Sequence, residues 1–267
     1  MELLLIVVFA VFAAVLASFL QVVITRTARE QSFVWGRSAC DHCRRQLAWY
    51  DNLPLLSFLW LRGKCRSCRQ PIPRRFFLSE LLAVLWAVVF SCLLTQTNYL
   101  TALSPLQLAA LFGIGLLLLF IVIADLQELI VPDLFSALLL VLVLVELWLR
   151  VGFVGEQWVL ALGSGAVALG LLWGVYRLAG WILQKEALGL GDVKLMLPLG
   201  ISLGWPWLLL QLFLAFVLGG LFAILLLLLG KKRFGQTLPF APFLVIAFVL
   251  TKVWGAAIWT WYIGLLI

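Results

Sequence analysis

Residues Leu3 to Ile24 read LLLIVVFAVFAAVLASFLQVVI and carry no charged side chain. A helix needs about 20 consecutive apolar residues to cross the hydrocarbon of a bilayer. The run is too long for the apolar part of a secretory signal peptide, and Met1-Glu2 places no positive charge before it. We therefore interpret residues 1–24 as the first transmembrane helix.

The rest of the chain is nearly as apolar. Of its 267 residues, 65% are hydrophobic and 12% are charged, which is more apolar surface than a soluble core can bury. Backbone groups in lipid must be paired internally, and the alternating pattern of a membrane β-barrel is absent. The sequence therefore predicts an all-α polytopic membrane protein with about eight transmembrane helices. The other predicted spans are approximately Phe77–Leu94, Leu106–Ala124, Leu134–Leu149, Trp158–Leu183, Val193–Leu203, Trp207–Leu229 and a last one within Pro239–Ile267.

Two of these spans are irregular. The run Val193–Leu203 has only about 11 residues before Gly204-Trp205-Pro206 interrupts it, which is too short for a full crossing, so we expect either a half-span or a span that the turn extends. Lys252 lies inside the last apolar run, which leaves the path of the C-terminal segment open.

A basic loop follows the first helix. Residues 26–75 hold eleven of the 19 Lys and Arg but only three of the 12 acids. Because cytoplasmic loops are the ones enriched in Lys and Arg, this loop is predicted to face the cytoplasm, with both chain termini on the opposite side. The segment Lys231 to Arg233 falls where the span count requires another cytoplasmic loop. Topology explains the charge without nucleic acid, and we expect membrane lipids as partners.

Four of the five cysteines lie in this loop, as CDHC with Cys40 and Cys43, and as CRSC with Cys65 and Cys68. Two C-x2-C pairs are typical of a tetrahedral zinc site, whereas disulfides are disfavoured in a reducing cytoplasm. We therefore predict a zinc ion bound by these four thiolates. With every position taken, the metal has no place for water, so its role is structural.

The remaining cysteine and the single histidine are interpreted more simply. Cys92 lies inside a predicted span and is expected to be a small core residue. His42 lies between two zinc ligands and is interpreted as a bystander. A catalytic triad that needs a histidine elsewhere is therefore excluded.

Two acidic segments are predicted at the cytoplasmic ends of membrane helices. IADLQELIVPD contains Asp125, Glu128 and Asp133, and GLGDVKLM contains Asp192. Two carboxyl groups brought to one water in an apolar setting can share a single proton, which is the chemistry of an aspartic protease. Asp125 and Asp192 are the candidate catalytic pair. The simpler alternative is that Asp125, Glu128 and Asp133 are ordinary interfacial polar residues and that Asp192 only caps a helix.

The positions of the two aspartates in their helices suggest which one is the general base and which one carries the proton. Asp192 follows two glycines and opens a helix, where the helix dipole favours an anion, and Lys194 is close in sequence. Asp125 ends a helix, where the dipole disfavours an anion. We expect Asp192 to be the general base and Asp125 to carry the proton.

Together these features resemble the type IV prepilin peptidases, bacterial membrane aspartic proteases of the GxGD kind. The combination of a four-cysteine loop with D-x6-PD and GxGDxK is specific to that family. The matching segments are SFLQVVITR (Ser18–Arg26), SACDHCRRQLAWYDNLPLLS (Ser38–Ser57), GKCRSCRQPI (Gly63–Ile72), SELLA (Ser79–Ala83), ADLQELIVPD (Ala124–Asp133), GLGDVKLMLPLG (Gly189–Gly200) and PFAPFL (Pro239–Leu244).

The resemblance implies an activity and a location. It implies that the enzyme sits in the bacterial inner membrane and cuts type IV prepilins or type II secretion pseudopilins on the cytoplasmic side, after a glycine. It also implies N-methylation of the new N-terminus by S-adenosylmethionine, associated with the cysteine loop, although the sequence shows no binding site for that cofactor. It places the catalytic aspartates on Asp125 and Asp192. Glu80 and Asp133 match family positions whose roles stay open.

The chain departs from the family pattern at four places. Gln21 replaces an asparagine, Thr27-Ala28 replaces Leu-Pro, Phe76-Phe77 replaces a Tyr-Pro, and Ala241 replaces a glycine. The first three lie in or beside the cysteine loop, so they bear on methylation more than on proteolysis.

These interpretations divide the chain into three parts. Residues 1–24 form the first transmembrane helix, residues 25–76 the basic cytoplasmic zinc module, and residues 77–267 the transmembrane aspartic protease domain. An ion-coupled transporter and a zinc-stabilised membrane scaffold without proteolysis remain as alternatives. The sequence does not identify the prepilin that is cut or the oligomeric state.

Overall fold

The computed structural model describes residues 2–32, 36–96, 103–184, 188–231 and 237–266. Over these residues the chain forms nine α-helices, a short 3-10 helix at Trp49–Asn52 and two isolated β-bridges, with no β-strand. The predicted all-α class is therefore confirmed. The helices are α1 Glu2–Ala28, α2 Leu56–Trp60, α3 Arg74–Gln96, α4 Pro105–Glu128, α5 Asp133–Val151, α6 Gly155–Leu183, α7 Leu190–Leu203, α8 Trp207–Leu228 and α9 Ala241–Leu266.

Seven of the helices in the described part of the chain are long and apolar enough to cross a membrane. They correspond to seven of the eight predicted spans. The eighth, Val193–Leu203, belongs to α7, whose 14 residues extend about 21 Å. This is less than the roughly 30 Å of the hydrocarbon, so α7 is too short to cross alone, as the sequence indicated.

The chain divides into two compact units, residues 1–123 and residues 124–267, with the division inside α4. In the first unit α1 packs against α3. Small side chains allow the backbones of two membrane helices to approach closely. Four alanines on these two helices are completely buried: Ala13, Ala17, Ala83 and Ala87.

The second unit is built around α7, which packs against α5, α6, α8 and α9. Glycines make the contact with α6 close. A Cβ atom on Gly200 would lie 2.6 Å from the Cβ of Ala168, and one on Gly165 would lie 2.5 Å from Cγ1 of Ile201. Because α7 is enclosed by its neighbours, its first turn, which carries Asp192, is held inside the unit.

The predicted boundaries of the three parts are not marked by breaks in the helices. α1 continues to Ala28 and α3 begins at Arg74, so the division at residues 24 and 76 stays a prediction. Residues 97–102, between the second and third predicted spans, and Lys232 and Arg233 of the predicted cytoplasmic loop lie outside the described residues.

Candidate active site and cysteine cluster

Asp125 lies in the last turn of α4 and is 5% exposed. Its Oδ2 accepts a hydrogen bond of 2.9 Å from the backbone N–H of Ala241. Ala241 is the first residue of α9, so this N–H is one of the four at the start of a helix that no carbonyl of the same helix can satisfy. The carboxyl group of Asp125 therefore joins the end of α4 to the beginning of α9.

Asp192 lies in the first turn of α7 and is 6% exposed. Its carboxyl group accepts a hydrogen bond from the backbone N–H of Gly189, the N-cap residue of the helix, as the acid of a capping box does. Its Oδ1 is buried and has no hydrogen-bond partner within the described residues. Asp125 is close enough to interact with it electrostatically.

The second glycine of the GLGD segment explains how the two aspartates come together. A Cβ atom on Gly191 would lie 2.7 Å from the Cβ of Val131, which belongs to the connection between α4 and α5. Only a residue without a side chain allows the first turn of α7 to approach that connection so closely. Gly191 thus brings the segment after Asp125 against the turn that carries Asp192.

The helix dipole does not distinguish the two carboxyl groups. The sequence placed Asp125 at the unfavourable end of a helix, and this is its position on α4. However, the structure also places it at the N-terminus of α9, where Ala241 donates to it. Both carboxyl groups therefore accept backbone N–H groups at helix N-termini, and their division into acid and base stays a prediction.

Lys194 pairs with a different acid from the one that the sequence suggested. Its Nζ lies 2.7 Å from Oδ1 of Asp133, the first residue of α5, and both side chains are exposed. This ion pair gives Asp133 a partner and links the starts of α5 and α7. Glu128, in the last turn of α4, is partly buried.

The four predicted zinc ligands lie together in the first unit. The Sγ atoms of Cys40, Cys43, Cys65 and Cys68 are all within 4.8 Å of one another, and none forms a disulfide. Those of Cys40 and Cys68 are 3.8 Å apart, which matches the roughly 3.8 Å between two sulfurs in a tetrahedral site with Zn–S distances of about 2.3 Å. The cluster is therefore compatible with a structural zinc ion.

Each cysteine pair is held by the same local fold. The N–H groups of Cys40 and Cys65 donate to the carbonyls five residues later, those of Arg45 and Gln70. Backbone N–H groups of Cys68 and Ser67 also lower the pKa of the Cys65 thiol, which favours the thiolate that binds metal. His42 is exposed and is not part of the cluster.

A cavity of about 950 Å³ lies beside the cysteine cluster in the first unit. Among the residues that line it is Glu80, which is 9% exposed. An oxygen of this carboxyl group accepts a hydrogen bond of 2.7 Å from the N–H of Leu55, and the group also bonds to Ser18. The sequence alone gave Glu80 no role beyond the resemblance, because its partners depend on the folded loop.

Several arginines of the basic loop hold the loop itself. Arg26 donates to the carbonyls of Ser32 and Gly36. Arg29 forms a two-pronged hydrogen bond with Asp41, and this hydrogen bond and the charge of Arg29 lower the pKa of the Asp41 carboxyl group. Part of the charge read from the sequence as a topology signal therefore also has a structural use.

Two buried, interacting carboxyl groups in a chain with seven candidate membrane spans are compatible with a membrane aspartic peptidase. Comparison with family models supports this class. The model described as Bacterial Peptidase A24 N-terminal domain matches residues 11–94, and the model of the Type IV leader peptidase family matches residues 111–224. The chain belongs to the type IV leader peptidase family.

Comparison with known proteins over most of the chain agrees with the family models. A prepilin leader peptidase/N-methyltransferase of Aeromonas hydrophila is 36% identical over 235 residues, which cover 85% of this chain and 74% of that protein. A protein of the same name from Myxococcus xanthus is 39% identical over 225 residues, covering 82% of this chain and 64% of that protein. No solved structure matches the chain. The family resemblance read from the sequence is confirmed, and the chain is a multi-pass protein of the inner membrane.

Proposed function

We propose that this protein cleaves the leader peptide of type IV prepilins or type II secretion pseudopilins, using Asp125 and Asp192 and one water molecule. The relatives are named as prepilin leader peptidases. The observation that carries the proposal is the pair of buried carboxyl groups in one unit, which interact with each other.

The chemistry follows from two acids that share one proton. Burial and mutual repulsion disfavour two negative charges on interacting carboxyl groups. The ionised carboxylate removes a proton from the water as it attacks the peptide carbonyl, while the protonated carboxyl group donates a hydrogen bond to the carbonyl oxygen. The proton then passes to the leaving nitrogen, so the pair returns to its starting state with one proton between the two groups.

The hydrogen bonds do not decide which aspartate is the base. Oδ1 of Asp192 has no hydrogen-bond partner within the described residues, so that oxygen is available to a water molecule. However, the backbone N–H of Ala241 donates to Oδ2 of Asp125, and such a hydrogen bond favours the ionised form of a carboxyl group. The assignment of Asp192 as the base therefore rests on the sequence and stays a prediction.

The active site and the cysteine loop are proposed to face the cytoplasm. The support is the excess of Lys and Arg in residues 26–75 and the position of both aspartates at helix ends. The apolar N-terminal helix of a prepilin would then lie among the spans, with its leader junction at the membrane surface beside the aspartates.

A second activity, N-methylation of the new N-terminus, is proposed from the names of the relatives. S-adenosylmethionine, when bound, supplies an electrophilic methyl group. The cavity in the first unit offers groups that suit such a cofactor: the Glu80 carboxyl group for an ammonium or ribose group, and the Tyr50 ring for an adenine. The proposed zinc ion keeps the cysteine loop folded and takes no part in either reaction.

One experiment reports both activities. A prepilin is co-expressed with the protein in a host that lacks its own prepilin peptidase, and the intact mass of the product is measured. We expect loss of the leader together with a gain of about 14 Da for one methyl group. With Asp192→Asn, the prepilin should keep its leader. Full processing by that variant would contradict the role proposed for Asp192, whereas an uncleaved prepilin with the wild-type protein would support the scaffold alternative.

A further inference from the structure

Lys252 is a charged residue inside a membrane-spanning helix. α9 begins at Ala241, beside Asp125, and Lys252 lies about 16 Å further along the helix at a rise of roughly 1.5 Å per residue. Since the hydrocarbon is about 30 Å thick, this is near its middle if α9 begins at its edge. An ionisable side chain at such a depth is costly and usually has a function.

The side chain of Lys252 turns towards the end of α7. The residue as a whole is exposed on the surface of α9, yet its Nζ lies 2.7 Å from the carbonyl oxygen of Ser202 and 3.4 Å from Ser202 Oγ. Both hydrogen bonds that Lys252 makes within the described residues therefore go to one residue of another helix.

The carbonyl group of Ser202 requires a hydrogen-bond donor from outside its own helix. It lies in the last turn of α7, where carbonyl groups have no partner in their own helix. Because α7 is too short to cross the bilayer, this turn lies at a depth where water is scarce and an unpaired carbonyl is costly. Lys252 supplies the missing donor from α9.

Other charges near Lys252 come from α5. Glu146 and Arg150 form an ion pair with each other at 3.5 Å, and both are close enough to interact electrostatically with Lys252. Neither forms a direct hydrogen bond with Lys252 in the described part of the chain. Within the described residues, Lys252 therefore makes direct hydrogen bonds to α7 and only longer-range electrostatic interactions with α5.

We propose that Lys252 is a positioning residue, which fixes the position of α7 along its own axis relative to α9 and thereby sets the position of Asp192 relative to Asp125. The proposal rests on the proposed function of the two aspartates. α9 contacts both halves of the pair: its first residue binds Asp125, and Lys252 binds the end of the helix that begins beside Asp192.

The lengths along the two helices agree with this role. From Asp192 to Ser202 α7 rises about 15 Å, and from Ala241 to Lys252 α9 rises about 16 Å. The close contact of α7 with α6 at the glycines is a van der Waals contact. The hydrogen bond from Lys252 adds a directional polar contact at the end of α7.

The test compares three variants of the full chain, purified in detergent. Lys252→Met keeps a long flexible side chain but removes the donor. Lys252→Arg keeps a charged donor, and Val253→Met places the same new side chain on the neighbouring exposed position. For prepilin cleavage we expect Lys252→Met to lower kcat about tenfold with KM within about twofold, Lys252→Arg to recover at least half of kcat, and Val253→Met to match the wild type.

A second measurement does not depend on activity. Hydrogen–deuterium exchange of peptides from residues 190–203 should be faster in Lys252→Met than in the wild type, Lys252→Arg or Val253→Met. Unchanged exchange would overturn the proposal, and so would an unchanged kcat or an equal loss in Val253→Met. If Asp192→Asn still cleaved prepilin, the proposed function would fail, whereas the exchange result would still decide whether Lys252 holds α7.

Discussion

At the scale of single residues, backbone groups hold the two carboxyl groups. Asp125 is bound by the N–H of Ala241 and Asp192 by that of Gly189. The sequence located both acids, because a carboxyl group beside long apolar runs is rare and costly. It did not show that the N–H of Ala241 binds Asp125, because the two residues meet only after α9 packs against the rest of its unit.

Lys194 and Asp133 provide a prediction at this scale. If they act mainly on each other, as the distance of 2.7 Å indicates, Lys194→Met, Asp133→Asn and the double variant should lower kcat/KM by the same factor. We expect that factor to be at most about fivefold, since an exposed ion pair contributes about 0.2–1 kcal/mol. Steady-state cleavage of a prepilin peptide measures it.

The contrary result would be informative. A loss in Lys194→Met much larger than that in Asp133→Asn would show that the lysine acts on another group, and Asp192 is the one that the sequence suggested. The sequence could not settle this choice, because Lys194 and Asp133 are 61 positions apart in the chain.

At the scale of elements, α7 determines the geometry of the site. It is too short to span the membrane, and α5, α6, α8 and α9 pack against it. Its short length followed from the break at Gly204-Trp205-Pro206. The close packing of α7 could not be predicted, because glycines are frequent in membrane helices and the sequence alone does not show which of them are contact points.

Alanine substitutions at two glycines of α6 distinguish the effect of close packing from the effect of helix propensity. A Cβ atom on Gly165 would lie 2.9 Å from the carbonyl oxygen of Leu197, whereas one on Gly163 would meet nothing within 4 Å. Gly165→Ala should therefore destabilise the protein by about 1–3 kcal/mol through overpacking. Gly163→Ala should be neutral or stabilising, since alanine favours a helix by up to about 1 kcal/mol.

Thermal unfolding of both variants in the same detergent provides the comparison. The unfolding temperature of Gly165→Ala should fall, while that of Gly163→Ala should stay the same or rise. Equal temperatures for the two variants would mean that α6 and α7 are not in close contact at Gly165.

At the scale of the whole molecule, the cysteine cluster and the aspartate pair belong to different units. The four cysteines and the cavity lie in residues 1–123, and both aspartates lie in residues 124–267. The cysteine spacing was enough to predict the cluster, because tetrahedral thiolate sites recur with such pairs. The cavity depends on how the loop between α1 and α3 folds, and no sequence motif marked it.

This division predicts that zinc removal affects the activities unequally. Cys65→Ser, or treatment with a strong chelator, should unfold the cysteine loop and reduce methylation at least about tenfold, while leader cleavage falls by less than about threefold. The mass of a processed prepilin measures both. Ser67→Ala is a matched control, since it changes a residue of the same knuckle that is not a ligand. Equal loss of the two activities would contradict the separation.

The central claim is that Asp125 and Asp192 act as one unit, and cleavage by the purified protein tests it most directly. Rates are compared for the wild type, Asp125→Asn, Asp192→Asn, the double variant and Glu128→Gln. Glu128, like Asp125, lies in the last turn of α4. We predict a loss of at least about 10³-fold in each single aspartate variant with no further loss in the double variant, and a rate near the wild type for Glu128→Gln. Substantial cleavage by either Asp125→Asn or Asp192→Asn would contradict the account.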